Sequence, residues 1–228
     1  MNILAVIPAR RGSKRLTRKN TRLLCGKPLI AHTLLHASRS RMVNRVVVST
    51  DGDDISKISK EYGAEVVCRP KEISGDKASS ESVIIHVLKH LKEVDSYIPD
   101  IVVFLQCTSP IREDDDIDNA INIFIKQEAD SLFSACRFNK YIWTLADKNI
   151  MPINYDYKNR WREQDFPVQY MENGSMYIFK PWVVNVLNNR LGGNIVIYEM
   201  GQENSFQIDT IGDLELCEFI LNWRYKNV

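Results

Sequence analysis

Residues 3–14 read Ile-Leu-Ala-Val-Ile-Pro-Ala-Arg-Arg-Gly-Ser-Lys, an apolar run that passes directly into a basic turn. A short, continuous run of this kind is typical of a β-strand that is buried on both faces. Gly12 lets the backbone turn tightly just after the strand, which we place at Ile3–Ile7. A buried strand followed by such a loop predicts the first strand of a βαβ unit.

The same alternation continues outward along the chain. Further apolar runs that predict strands are Arg45–Ser49, Glu65–Cys68, Ile101–Leu105 and Ser131–Ala135. Between them apolar residues recur at the helical spacing of three and four, as at Ile55, Ile58 and Tyr62. This order predicts an α/β fold over residues 1–228, one domain with a doubly wound and mostly parallel sheet. Ligands of such sheets bind beyond the carboxyl ends of the strands.

The alternation stops after Cys136. The segment Arg137–Met171 is rich in Trp and Tyr, lacks clear periodicity and is too long for a simple connection. We interpret residues 137–172 as an insertion at a dimer interface, because aromatic area that cannot be buried locally favours association. Two strands, Ser175–Phe179 and Ile195–Glu199, are expected next. A final helix closes the chain, with one apolar face made by Leu214, Cys217, Ile220 and Leu221.

The composition argues against several kinds of partner. The 228 residues include 30 Lys and Arg against 29 Asp and Glu, a net charge of +1. Without an excess of positive charge, we expect neither a nucleic-acid polymer nor a membrane as partner. The N-terminal apolar run is too short for a signal peptide or a membrane span. Because the five cysteines form no C-x-x-C pair, we expect reduced thiols and a cytoplasmic protein.

The loop after the first strand has the character of a phosphate site. Six cations fall within ten residues, from Arg10 to Lys19, around the pair Gly12-Ser13. Arg and Lys supply the positive charge that a triphosphate requires, and a glycine lets backbone N–H groups approach an anion. The loop matches neither G-x-x-x-x-G-K-[ST] nor G-x-G-x-x-G. The alternative is a solvated basic loop without a ligand.

This loop is one of seven motifs that together resemble a known family in content and order. Residues 8–20, which contain P-A-R-x-G-S-K and end in K-N, resemble the signature of the CMP-acylneuraminate synthetases. These cytidylyltransferases activate sialic acid and related nine-carbon ulosonic acids. The other six motifs are Val47–Asp51, Arg69–Pro70, Ala78–Ser80, Leu105–Arg112, Asn173–Ile178 and Ile208–Thr210. Together they extend over almost the whole chain.

The resemblance implies a fold and a reaction. The expected fold is the α/β sheet of the nucleotide-diphospho-sugar transferases. The expected reaction joins CTP to a 2-keto-3-deoxy sugar acid, such as sialic or legionaminic acid, and releases pyrophosphate. It also implies Mg²⁺ as a divalent cation and a homodimer in which the insertion completes the sugar pocket of the partner subunit.

The resemblance assigns roles to residues at the matching positions. The expected nucleotide-binding residues are Arg10, Arg11, Gly12, Ser13, Lys14, Lys19, Asn20, Arg69, Ala78 and Ser80, although the role of Arg11 is open. The expected sugar-binding residues are Gln106, Arg112, Arg162 and Asn173. Arg162 is offset by one position from the family's R-x-x-L-P motif, so Arg160 is an alternative. From the residues alone, Ser79 and Ser80 equally suit the start of a helix, and Arg69 suits an ordinary surface position.

Arg10, Lys14 and Asp209 are the expected catalytic residues, and Asp209 is the expected metal ligand. Mg²⁺ in nucleotidyl transfer typically takes one or two carboxylates plus phosphates and water. The family usually has D-I-D where this chain has Gln207-Ile208-Asp209, so Gln207 is a weaker second ligand and the number of metal ions is open. The alternative role for Asp209 is a cap before the last helix.

Three alternative interpretations stay open at this point. The chain could be a related nucleotidyltransferase for another sugar acid or for another base. With Gln207 in a metal position, it could also be a nucleotide-binding relative with weak catalysis. The histidine pairs His32/His36 and His86/His90 lack the Glu of H-E-x-x-H, and we interpret them as packing or helix-surface residues.

Overall fold

A computed structural model describes residues 1–76 and 78–227 of the chain. The strands are β1 (Ile3–Pro8), β2 (Leu23–Leu24), β3 (Lys27–Pro28), β4 (Arg45–Thr50), β5 (Glu65–Cys68), β6 (Ile101–Leu105), β7 (Ser131–Phe138), β8 (Trp143–Ala146), β9 (Asn149–Pro152), β10 (Gln169–Phe179) and β11 (Ile195–Glu199). The α-helices are α1 (Leu29–Arg39), α2 (Asp53–Glu61), α3 (Ser80–Asp95), α4 (Asp116–Lys126), α5 (Pro181–Leu187) and α6 (Ile211–Asn227).

The central sheet has seven strands in the order β11-β7-β10-β6-β1-β4-β5. Strand β10 runs antiparallel to β6 and β7, and the other neighbouring pairs are parallel. This confirms the prediction of a mostly parallel sheet. The chain leaves β1 toward β4 and β5 on one side and later returns to β6 on the other. The strand order therefore reverses between β1 and β6, which is where such sheets form a ligand crevice.

Both faces of the sheet are covered, as the continuous apolar runs predict. In β1, Ile3, Ala5 and Ile7 belong to one apolar cluster, whereas Leu4 and Val6 belong to another. This division follows from the two-residue period of a strand. Helices α1 and α4 pack on the first face, and α3 and α5 pack on the second. The sheet is thus doubly wound.

The final helix packs where the sequence predicts. Leu214, Cys217 and Leu221 of α6 are buried in a third apolar cluster, with Ile220 partly buried against it. The cluster also contains Leu16, from the loop after β1. Burial of these apolar side chains stabilises the structure by about 1.5–3 kcal/mol each. The helix therefore anchors the basic loop to the body of the protein.

The segment 137–172 is more regular than expected. It contains the two-stranded antiparallel sheet β8–β9, and β7 and β10 both extend into it. Regular strands thus occur in parts of a segment whose sequence lacks clear periodicity. Every residue of β8 and β9 is exposed or half-buried, so neither strand has the continuous buried apolar run that predicts the strands of the central sheet. Exposed Leu145 and Ile150 face each other across this sheet.

The histidine pairs agree with their interpretation as packing or helix-surface residues, and the cysteines agree with the expectation of reduced thiols. His32 is buried, with Nε2 2.8 Å from the carbonyl oxygen of Leu24, and burial lowers its pKa. The rings of His86 and His90 stack on α3 at 6.4 Å. All five cysteines are free thiols. Within residues 1–76 and 78–227, we find no helix with the length and apolar character needed to cross a membrane.

Candidate active site

A cleft of about 470 Å³ opens at the carboxyl ends of β1, β5 and β6. Its walls are the basic loop after β1, the segment that leads from β5 into α3, and the first residues after β6. Ten residues expected from the sequence line it together, namely Arg10, Ser13, Lys14, Lys19, Asn20, Arg69, Ala78, Ser80, Gln106 and Asp209. The cleft thus lies at the point where the strand order reverses.

The charge of the cleft suits a polyanion. Among the described residues, its lining contains five cations, Arg10, Lys14, Arg15, Lys19 and Arg69. The same lining contains two carboxylates, Asp76 and Asp209. The excess of positive charge is local, because the chain as a whole is nearly neutral. A concave, cationic surface of this kind attracts and holds phosphate groups.

Arg10 and Lys14 share one counter-ion. Arg10 NH1 lies 2.7 Å from Asp76 Oδ1, and Lys14 Nζ lies 2.5 Å from Asp76 Oδ2. The hydrogen bond from Lys14, followed by that from Arg10, lowers the pKa of the Asp76 carboxyl. Both oxygens of one carboxylate therefore bridge the two cations expected to bind phosphate.

Lys19 and Arg15 converge on the other carboxylate. Lys19 Nζ donates to Asp209 Oδ1 at 2.7 Å and to the carbonyl oxygen of Ile208 at 2.8 Å. Arg15 NH1 lies 3.0 Å from Asp209 Oδ2. The Lys19 side chain is only 11% exposed, whereas that of Arg15 is 74% exposed. Lys19 is thus fixed in the wall of the cleft, and Arg15 reaches over its rim.

Local structure explains how the basic loop holds its shape. Arg18 adopts a left-handed backbone conformation, with φ 54°, and begins the short 3₁₀ turn Lys19–Thr21. Buried Asn20 donates from Nδ2 to the carbonyl oxygen of Arg10 at 3.0 Å. This bond joins the two ends of the loop, so Asn20 positions Arg10 as well as lining the cleft.

The wall expected to face the nucleoside is built by Arg69 and the start of α3. Arg69 is buried and donates from NH2 to the carbonyl oxygen of Ser49 at 2.7 Å, which ties the end of β5 to β4. Burial lowers the pKa of this guanidinium. Ser79 is the N-cap of α3 and accepts from the Ser82 N–H at 3.1 Å. The capping interpretation is therefore correct for Ser79, and Ala78, Ser79 and Ser80 all line the cleft.

Gln106 forms the floor of the cleft, directly after β6. Its backbone N–H donates to the carbonyl oxygen of Ser175 at 3.3 Å. Gly174 lies beside it with φ +66°, a conformation that glycine adopts without strain. A methyl group at Gly174 would lie 2.8 Å from Gln106 Oε1 and 2.4 Å from Gln207 Nε2. The glycine therefore makes room for two glutamine side chains.

Two expected sugar contacts are used inside the protein instead. Arg112 is 4% exposed and donates from NH2 to the carbonyl oxygens of Gln106 and Ser175, at 2.9 and 2.8 Å. Asn173 is 1% exposed, and its Oδ1 accepts from Ser134 Oγ and from the Ser175 N–H. The structure does not bring either side chain into the cleft. Both hold the strand ends on which Gln106 depends.

The other expected residues also lie outside the lining of the cleft. The backbone N–H of Arg11 donates to Asp51 Oδ1 at 2.8 Å, and its neighbour Gly12 is exposed. Arg162, in the insertion, pairs with Asp165 at 2.8 Å. Arg160 stacks on the Tyr141 ring, with 4.4 Å from the guanidinium carbon to the ring centre.

The donor set fits Mg²⁺ through one carboxylate. Asp209 has an oxygen-donor side chain at the edge of a cationic cleft, which suits an ion shared with substrate phosphates. Gln207 donates from Nε2 to the carbonyl oxygen of Asn173 at 2.7 Å and does not line the cleft. Within residues 1–76 and 78–227, no group of three or more His, Cys, Asp and Glu side chains could hold a metal ion.

Sequence reasoning did not assign to the site four polar residues of the lining, Arg15, Asp76, Ser79 and Thr108. Arg15 belongs to the six-cation run, so its signal was present but not specific. Asp76 pairs with Arg10, but 66 positions of sequence separate the two residues, so no local sequence pattern predicts the contact. Thr108 is two residues beyond Gln106, in the same motif after β6.

Comparison with known proteins agrees with this geometry. A family model described as cytidylyltransferase matches residues 4–225. The N-acylneuraminate cytidylyltransferase of Oncorhynchus mykiss is 36% identical over 221 residues, which make up 95% of this chain and 50% of that protein. The CMP-N,N'-diacetyllegionaminic acid synthase of Legionella pneumophila is 45% identical over 124 residues, 54% of this chain and 53% of that protein. The chain therefore spans about half the length of the Oncorhynchus mykiss relative, whereas the Legionella pneumophila match covers about half of each chain.

Solved structures confirm the fold class. CMP:2-keto-3-deoxy-manno-octonic acid synthetase complexed with CTP superposes with a TM-score of 0.74 at 19% identity, covering 98% of this chain and 100% of that one. The family model matches nearly the whole chain, so it establishes family membership as well as the fold. This chain belongs to the cytidylyltransferase family.

Proposed function

We propose that this protein activates a nine-carbon 2-keto-3-deoxy sugar acid with CTP, giving the CMP-sugar and pyrophosphate. The proposal rests on one observation: Arg10, Lys14, Lys19 and Asp209 line the same cleft, together with Gln106. The named activities of the relatives from Oncorhynchus mykiss and Legionella pneumophila support the same reaction class.

In the proposed reaction, the anomeric hydroxyl of the sugar acid attacks the α-phosphorus of CTP. The new C–O–P linkage forms as the bond from the α-phosphorus to the bridging oxygen breaks, and pyrophosphate leaves with that bonding pair. The hydroxyl proton passes to solvent or to a phosphate oxygen. Because negative charge develops on phosphate oxygens, the main tasks of the protein are positioning and charge stabilisation.

Each wall of the cleft has a role in this proposal. Arg10, Lys14 and Lys19 hold the triphosphate, and Ser13 adds a hydroxyl close to it. Arg69, Ala78 and Ser80 face the cytidine. Their wall includes the N-terminus of α3, whose helix dipole adds partial positive charge to the cleft. Arg11 and Gly12 shape the backbone of the loop rather than touch the nucleotide.

Asp209 is the protein ligand that would hold Mg²⁺ together with phosphate oxygens and water. When bound, the ion would neutralise part of the charge on the triphosphate. Asp209 is paired with Lys19 and Arg15, so these cations are placed to take up phosphate oxygens when the carboxylate binds an ion. We propose Asp209 as the one protein ligand, because Gln207 does not line the cleft and its Nε2 is bonded to the carbonyl oxygen of Asn173.

Gln106 is the proposed contact to the sugar acid, since an amide at a strand end can bond to hydroxyl groups. The acid carboxylate needs a cation, and Arg162 or Arg160 would supply it from the insertion of a second subunit. The insertion exposes Trp143, Leu145 and Ile150, which suits a homodimer interface. We place the protein in the cytoplasm, where reduced thiols persist.

Pyrophosphate release tests this proposal. The protein would be incubated with Mg²⁺, each of CTP, UTP, ATP and GTP, and a panel of sialic, legionaminic and pseudaminic-type acids. We expect release with CTP and at least one nonulosonic acid, and a CMP-sugar of matching mass. Pyrophosphate release with UTP, ATP or GTP instead of CTP, or only with a sugar acid shorter than nine carbons, would favour a related nucleotidyltransferase. CTP binding without release for any acid would favour the weakly catalytic alternative.

A further inference from the structure

The segment between β5 and α3 places a carboxylate where the phosphate of a ligand is expected. Asp76 Oδ1 accepts from Arg10 NH1, and Asp76 Oδ2 is within 2.5 Å of Lys14 Nζ. A phosphate group presents oxygens to the same donors, in the same bidentate manner. The side chain thus engages the two cations that the proposed function gives to the triphosphate.

We propose that Asp76 is an internal counter-ion that holds Arg10 and Lys14 in the free protein and is displaced from them by the triphosphate. The inference rests on the proposed nucleotide site. Asp76 competes with the ligand for these cations, so it weakens nucleotide binding and thereby helps pyrophosphate to leave after transfer.

The exposure of the three side chains favours exchange over a permanent bond. The side chain of Asp76 is 41% exposed, and those of Arg10 and Lys14 are 34% and 78% exposed. Ion pairs of this kind are weak, because water screens them and ordering long side chains costs entropy. A tetra-anionic ligand has more charge to offer than one carboxylate.

A matched pair of variants tests the proposal with a simple probe. Pyrophosphate, without metal, would be titrated calorimetrically into wild type, Asp76→Asn and Asp114→Asn. Asp114 is a suitable control because it pairs with Arg39 at 2.7 Å and does not line the cleft. We expect Asp76→Asn to lower the pyrophosphate Kd about three- to tenfold, and the control to leave it unchanged.

Two further measurements separate competition from a structural effect. In the Arg10→Ala background, Asp76→Asn should increase pyrophosphate affinity by a smaller factor than it does in wild type, because one of the two shared cations is gone. Raising the salt concentration toward about 1 M should also reduce this increase in affinity, since the Debye length falls to about 3 Å. Thermal melting of the free variants checks that each is folded.

The possible outcomes distinguish this inference from the proposed function. If wild type binds pyrophosphate and Asp76→Asn binds it equally or more weakly, the counter-ion proposal is wrong and the nucleotide site stands. If wild type binds neither pyrophosphate nor CTP, the nucleotide site itself is wrong, and the counter-ion proposal with it.

Discussion

Lys19 Nζ lies 2.7 Å from Asp209 Oδ1, although 190 positions of sequence separate the two residues. The contact joins the loop after the first strand to the start of the last helix. It places the proposed phosphate-binding cation Lys19 and the proposed metal ligand Asp209 at one corner of the cleft. Their mutual attraction keeps both side chains in position before any substrate binds.

Asp209→Asn should therefore remove most of the activity, because it removes the charged ligand for Mg²⁺. Raising the Mg²⁺ concentration should recover part of the rate, since an amide oxygen still binds the ion weakly. Steady-state pyrophosphate release at several Mg²⁺ concentrations measures this. Asp114→Asn is the control. A rate for Asp209→Asn equal to that of wild type at low Mg²⁺ would place the ion elsewhere.

Arg10→Ala should lower kcat/KM for CTP by about tenfold to a hundredfold, the range expected for a lost hydrogen bond to a charged group. Folding should change little, because the side chain is partly exposed and its ion pair is at the surface. Kinetics and thermal melting together test both statements. Arg39→Ala removes a comparable exposed ion pair away from the cleft and should leave the kinetics unchanged.

Gly174→Ala should raise the KM for the sugar acid more than the KM for CTP. The added methyl group would meet Gln106 Oε1 and Gln207 Nε2, so the proposed sugar contact must shift. Gly63→Ala is a matched control, because Gly63 also has positive φ but a methyl group added there would have no neighbour within 4 Å. Both variants should lose about 1–2 kcal/mol of stability through backbone strain. Equal KM values in the two variants would contradict the role of Gln106.

The start of α6 should contribute to stability at neutral pH and lose that contribution in acid. The Asp213 carboxylate accepts the backbone N–H groups of Asp209 and Thr210, and these bonds lower its pKa. A lowered folded-state pKa stabilises the fold above the ordinary value of about 3.9, and the effect is lost as pH falls below it. Asp213→Ala should thus lower Tm by about 2–4 °C at pH 7.

The difference in Tm between wild type and Asp213→Ala should narrow steadily below about pH 4. Melting curves from pH 3 to 7 measure it, with Glu215→Ala on the same helix as control. A constant difference in Tm across this range would show that the charge of the Asp213 carboxylate does not contribute to the stability of the start of α6.

Trp143→Glu should yield monomers if the insertion forms the proposed interface. Trp143 is 45% exposed and packs edge-on against Tyr155 at 5.8 Å, in a cluster of aromatic rings. A charge in this position would have to be desolvated on association. Light scattering coupled to chromatography gives the mass. Val186→Glu, on the exposed side of α5, is the control, and a monomeric wild type with full activity would refute the shared site.

The sequence predicted the central sheet well because its strands are buried on both faces. The run at Ile101–Leu105 is apolar throughout, and all five residues are buried. The pair β8–β9 escaped prediction because exposed strands lack that signal. Every residue of β8 and β9 is exposed or half-buried, so no buried apolar run marks them in the sequence.

Sequence reasoning predicted the site residues that come shortly after the end of a buried strand. Arg10 and Gln106 both do so, and both line the cleft. Arg112 and Asn173 belong to matching motifs, but a motif does not tell in which direction a side chain points. Burial of the Arg112 guanidinium against backbone carbonyls lowers its pKa to about 10 and is visible only in three dimensions.

The packing of Leu16 against Leu214, Cys217 and Leu221 has a consequence for the order of events during synthesis. The basic loop leaves the ribosome long before the helix that anchors it. A nascent chain that still lacks α6 also lacks the support beneath Leu16 and the helix that follows Asp209. Affinity for the proposed nucleotide should thus arise late in translation, once α6 is available to pack against Leu16.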